Sequence, residues 1–85
     1  MSQLVTQVSV EKVIRCPYEV ADVGSGRFLA VCEILHGIAS GDSPQEATEN
    51  LKLALAEIYY HYPDQVEARL SRIGQDGQTL DVNVI

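Results

Sequence analysis

The sequence predicts an α+β fold, a small antiparallel-rich sheet of three to four strands with one long helix packed on one face. Three observations carry that expectation. The N-terminal third is rich in β-branched residues that alternate with polar ones, residues 43–46 open a run with helical spacing, and the C-terminal residues return to alternation. Eighty-five residues suffice for a single domain, 1–85, with a modest core.

The first strand is expected over residues 4–14. Leu4, Val8, Val10 and Ile14 share one parity, and Gln7, Ser9 and Glu11 share the other, the pattern of a strand with one buried face. Pro17 has no backbone donor and is expected to interrupt the ladder. Tyr18-Glu19-Val20-Ala21-Asp22-Val23 resumes it, and Gly24-Ser25-Gly26 supplies a turn tolerant of positive φ. The stretch Arg27 to Leu35 is apolar on both parities, as a central strand should be, so residues 18–35 read as a hairpin. His36 to Asp42 connects it onward and includes a short strand.

Ser43-Pro44-Gln45-Glu46 is the sharpest local signal. It places a capping hydroxyl, a proline at the first helical position and a glutamate able to reach back to the Ser43 amide. Ala47, Leu51, Ala54, Leu55, Ile58 and Tyr62 then recur on one stripe. A helix over 44–62 is about 28 Å long, enough to cross a small sheet, and Pro63 is expected to end it. Residues 64–73 admit two readings. One is a short helix capped by Asp64 and carrying Val66, Leu70 and Ile73. The other is a strand with Val66, Ala68 and Leu70 on one side, turning at Gly74-Gln75-Asp76-Gly77 into the last strand. The closing strand, 79–85, alternates Leu80, Val82 and Val84 with Asp81 and Asn83.

Composition excludes several function classes. Twelve acidic against six basic residues give a net charge of −6, which disfavours a nucleic-acid or anionic-lipid surface and suits a basic protein partner. The hydrophobic share of 46% is too high for a disordered chain. No apolar run approaches the roughly 18 residues of a membrane span, and Met1-Ser2-Gln3-Leu4-Val5 lacks the basic and apolar regions of a signal peptide. The expected compartment is the cytoplasm. There Cys16 and Cys32 are expected to be buried, reduced thiols.

No convergent catalytic set stands out, and the reading is of a binding protein and not an enzyme. His36 and His61 are expected to be exposed or capping, and Cys32 with His36 makes only one close ligand pair, too few for a zinc site. Asp22, Glu33 and Asp42 are the candidates for a metal-dependent nuclease cluster, against which each has a local structural explanation. No metal or cofactor is expected.

The segment from Phe28 to Ile58 resembles a known family. Arg27-Phe28-Leu29-Ala30-Val31-Cys32, Gly37, then Ser40-Gly41-Asp42-Ser43-Pro44-Gln45-Glu46-Ala47 and Asn50-Leu51 are similar to the HicB-like antitoxins. That family often has Pro-Gly-Cys where this chain has His36-Gly37-Ile38. The resemblance implies a degenerate RNase H-like layer with a helix on one face. It also implies a partner, a small basic HicA-type ribonuclease whose active site the protein occludes. The sequence ends at Ile85 directly after the closing strand, so the C-terminal DNA-binding domain of many members is not expected, nor is direct contact with nucleic acid. The alternative is an orphan HicB-like module with no toxin, acting as a regulatory or scaffolding protein through homodimers or higher homo-oligomers.

The candidate partner-binding residues lie on the helix. Leu53, Ala56 and Tyr60 make a second stripe, beside Glu49, Lys52 and Glu57. Glu46, Glu49, Leu53, Glu57 and Tyr60 form the expected contact set. Either a partner or subunit meets this stripe, or the tail of the chain folds over it.

Overall fold

The structure is a computed structural model that describes residues 12–72 and 77–84. It is an α+β arrangement in the order β1 (Val13–Pro17), β2 (Glu19–Gly24), β3 (Arg27–Cys32), a 3-10 turn (Glu33–Leu35), β4 (Gly37–Gly41), α1 (Pro44–His61), α2 (Pro63–Leu70) and β5 (Thr79–Asn83). All strand pairings are antiparallel. β2, β3 and β4 form a three-stranded meander, and β1 pairs with β5.

Most of the strand expected over 4–14 lies outside the described residues. β1 begins at Val13 and runs on to Pro17, so the proline ends this strand and does not precede a break inside it. Its position explains the tolerance. Tyr18 N donates to Gln78 O at 3.2 Å and Val84 N donates to Lys12 O at 2.9 Å, so bonding to β5 falls to the even residues. Pro17 therefore turns its nitrogen away from that ladder. Only Tyr18 separates β1 from β2, so one extended stretch serves both sheets, pairing first with β5 and then with β3.

The β2–β3 turn is built at Ser25 (φ 56) and Gly26 (φ 74), the two positive dihedrals that a tight two-residue hairpin requires. Beyond Cys32 the expected strand gives way to the 3-10 turn. His36 N donates to Glu33 O at 3.1 Å, and His36 closes the turn in the left-handed region (φ 58). The pattern Glu33-Ile34-Leu35 is strand-like, but this local hydrogen bond turns the chain into β4.

α1 lies across the meander. Ser43 accepts from Glu46 N at 3.0 Å, and Pro44 occupies the first turn, as its sequence dictates. The Glu46 carboxylate reaches one residue further back than expected, taking the Asp42 amide instead of that of Ser43. Ala47, Leu51 and Leu55 are buried against Ala30, Cys32, Gly37 and Gly41, and each leucine contributes about 1.5–3 kcal/mol by burial. The glycines set the distance between layers. A Cβ on Gly41 would stand 2.5 Å from Ala47 N, and one on Gly37 would stand 2.6 Å from Leu55 Cδ2.

Pro63 does more than end α1. It opens α2 at a first-turn position, where its missing amide costs nothing. Residues 63–70 are therefore helical and the strand alternative does not hold. Asp64 is not the cap, which falls on Tyr62. Val66 is buried, completing a core with Ile14, Cys16, Leu80 and Val82 beneath α1, while Ile73 lies outside the described residues.

Candidate functional site: two exposed faces

The five contact residues expected on α1 fall together. At about 100° per residue, Glu46, Glu49, Leu53, Glu57 and Tyr60 occupy an arc of about 80° on the side of the helix opposite Leu51 and Leu55. All five are exposed. Leu53 is 71% and Tyr60 79% accessible, so no described part of the tail folds over them, and Ala56 beside them is half-buried. The Tyr60 ring stands edge-on to His61 with centroids 5.2 Å apart. Two of the three carboxylates of this arc are already engaged within the chain, and the third stands near His61. Glu46 takes the Asp42 amide, Glu49 Oε2 lies 3.3 Å from Lys52 Nζ, and Glu57 Oε2 lies 4.0 Å from His61 Nε2.

A second face was not anticipated. Strand alternation sends Ala30, Cys32, Gly37 and Gly41 toward α1, so the odd residues of β2 and β3 and the even residues of β4 turn the other way. The register puts Glu19, Val31 and Ile38 in one row and Ala21, Leu29 and Ser40 in the next. Ile38 is 59% accessible. A cavity of about 420 Å³ opens at one end of this face, walled by Pro17, Ala21, Val31 and Ile34 and bordered by Glu19 and Glu33. The signal in the sequence was the apolar character of β3 on both parities, which calls for cover on both sides. Which residues line up across three strands follows only from their register.

Comparison of the chain with protein-family models, curated proteins and solved structures finds no match.

The residues weighed for chemistry are distributed as follows. Asp22 and Asp42 lie toward the hairpin end of β3, while Glu33 follows its other end, roughly 15 Å away along the strand. Asp22 Oδ1 accepts from Gly24 N at 2.9 Å, and Asp42 Oδ1 accepts from Arg27 Nη1 at 2.7 Å. The three carboxylates do not converge, and among the described residues no group of three or more His, Cys, Asp or Glu is placed to hold a metal ion. His36 and His61 line one shallow cavity with Ile38, Glu57, Ile58 and Tyr62. Arg69 lines a neighbouring cavity that shares His36, Ile58 and Tyr62, and its Nη1 donates to Ile34 O at 3.2 Å. The lining of this groove is largely apolar, through Leu35, Ile38, Ile58, Tyr62 and Val66, with Arg69 and Glu57 bringing opposite charges.

Cys16 and Cys32 are both fully buried free thiols, near enough to shift one another's ionisation. The Cys16 thiol, with the Leu35 and Ile34 amides of the 3-10 turn, holds the Cys32 thiol below its ordinary value despite burial. Cys16 is pushed up by Cys32 and by desolvation. No described helix is long and apolar enough to cross a membrane.

Proposed function

We propose that this chain is a HicB-like antitoxin-type binding protein and not an enzyme, neutralising a small basic HicA-type ribonuclease by covering its active site. The observation that carries this reading is the Gly41-to-Ala47 motif, which joins a sheet edge to a long, capped helix packed on one face of the sheet. The net charge of −6 supports a basic partner through long-range steering. Occlusion needs no catalytic group from this chain, only an exposed, complementary surface.

The test is recovery of the partner and its inhibition. The tagged full chain, passed through native lysate, is expected to retain a small basic ribonuclease that is released as salt rises. Adding the chain back to the purified ribonuclease should abolish RNA cleavage at a stoichiometric ratio. If no ribonuclease is retained, or cleavage persists at excess chain, the reading fails. The apolar row of Leu29, Val31 and Ile38, in which Ile38 is exposed and the other two half-buried, favours a second reading, the orphan module acting through self-association. It takes the lead if the chain returns alone as a homodimer or larger oligomer.

A further inference from the structure

We propose that the partner docks on the sheet face turned away from α1, and that the cavity between Glu19 and Glu33 receives an arginine side chain from it. The inference rests on the reading above, in which the partner is basic, and it identifies the surface that such a partner meets.

The described surfaces differ in what they offer a cation. On the outer arc of α1, Glu46 is engaged by the Asp42 amide and Glu49 by Lys52. The groove between α1 and α2 is walled mainly by Leu35, Ile38, Ile58, Tyr62 and Val66, and its Glu57 is offset by Arg69, so it offers a cation no surplus of acid. On the open sheet face, Glu19 and Glu33 border one cavity and neither is in an ion pair among the described residues. The register places them near each other, since Glu19 stands opposite Val31 and Glu33 follows two residues later. The cation on this face, Arg27, sits at the far end and is bound to Asp42 at 2.7 Å and to Ser40 Oγ at 3.0 Å.

The walls select the kind of cation. Pro17, Ala21, Val31 and Ile34 are apolar, and an arginine covers such a wall with its methylene stem while its weakly hydrated guanidinium meets the two carboxylates. Leu29 and Ile38 extend the apolar surface beyond the cavity and suit aliphatic residues of the same partner. The free carboxylates at the rim of this apolar patch favour a partner of the opposite sign over a second copy of this chain, which would bring like charges together.

The experiment uses the isotopically labelled full chain titrated with a blocked hexapeptide of alternating leucine and arginine. The matching leucine–glutamate peptide serves as the control. The arginine peptide is expected to shift the amide resonances of Ala21, Leu29, Val31 and Ile38 in a saturable way, and the glutamate peptide to leave them in place. Glu19→Gln and Glu33→Gln should each weaken binding by about fivefold, whereas Asp64→Asn, removing the same charge from α2, should change it by less than about twofold. The amide spectrum of each variant reports that it is folded. Shifts centred on Leu53 and Tyr60 would overturn the inference and leave the basic-partner reading standing. Equal response to both peptides, or response to neither, would overturn the inference and remove the charge argument from the reading as well.

Discussion

Gly41 shows how much of this fold depends on single residues. Its Cα lies so close to the first turn of α1 that a Cβ would sit 2.5 Å from Ala47 N and 2.8 Å from the Glu46 carbonyl carbon. These are backbone atoms held by the helix ladder, so they cannot rotate aside as the Leu55 side chain can over Gly37. Gly41→Ala is therefore expected to destabilise the protein by about 1–3 kcal/mol, read from the midpoint of denaturant unfolding at constant slope. Gly37→Ala, which meets a side chain, should cost less. Cys16 and Cys32 illustrate the opposite case, reactive groups held inert. Both are fully buried, so neither should react with an aromatic disulfide reagent until the fold opens. Reagent uptake followed against denaturant concentration checks this, and both thiols are expected to become reactive only along the unfolding transition.

At the scale of elements, α1 is the most strongly specified piece. Its cap satisfies two amides at once, with Ser43 Oγ taking that of Glu46 and the Glu46 carboxylate taking that of Asp42. Ser43→Ala should cost about 1 kcal/mol, seen as a lower unfolding midpoint, while Glu46→Gln retains an acceptor and should cost less. This start and the apolar stripe behind it were legible in the sequence, because caps and helical spacing are local. The β2–β3 turn was legible for the same reason at Gly24-Ser25-Gly26. The 3-10 turn was not, since Glu33-Ile34-Leu35 continues the apolar run of β3 and only the bond from His36 to Glu33 redirects it. The start of α2 at Pro63 was read as a stop because a proline ends one helix and opens the next with the same stereochemistry. The candidate surfaces divide in the same way. The outer arc of α1 follows from spacing along one helix. The row of Glu19, Val31 and Ile38 exists only after three strands have found their register.

For the whole molecule, the distribution of charge matters more than its sum. Lys12, Arg15, Arg27 and Lys52 each pair with a carboxylate, leaving a fold that is acidic overall and locally neutralised where its elements meet. The clearest such junction joins the residue before β1, the end of α1 and the middle of α2. Lys12 Nζ lies 2.6 Å from Glu67 Oε2, Tyr59 Oη donates to the same oxygen at 2.8 Å, and Lys12 stands 5.9 Å above the Tyr59 ring. The bond from Lys12, then that from Tyr59, hold the Glu67 carboxyl below its ordinary value of 4.5. A carboxyl depressed in the folded state contributes stability above its unfolded pKa and loses it as pH falls through the folded value. Lys12 and Tyr59 are raised, chiefly by their bonds to Glu67, so their contribution is complete below their unfolded pKa values and is lost as pH rises through the folded ones. The junction therefore works between these acid and alkaline limits, and it is open enough to water for salt to screen it. Glu67→Gln should lower the thermal midpoint at pH 7 and make no difference at about pH 2, where the native carboxyl is protonated as well. Thermal unfolding of both proteins across that range, at low and at high salt, checks the prediction. A constant gap at every pH would mean that Glu67 acts through packing and not through its charge.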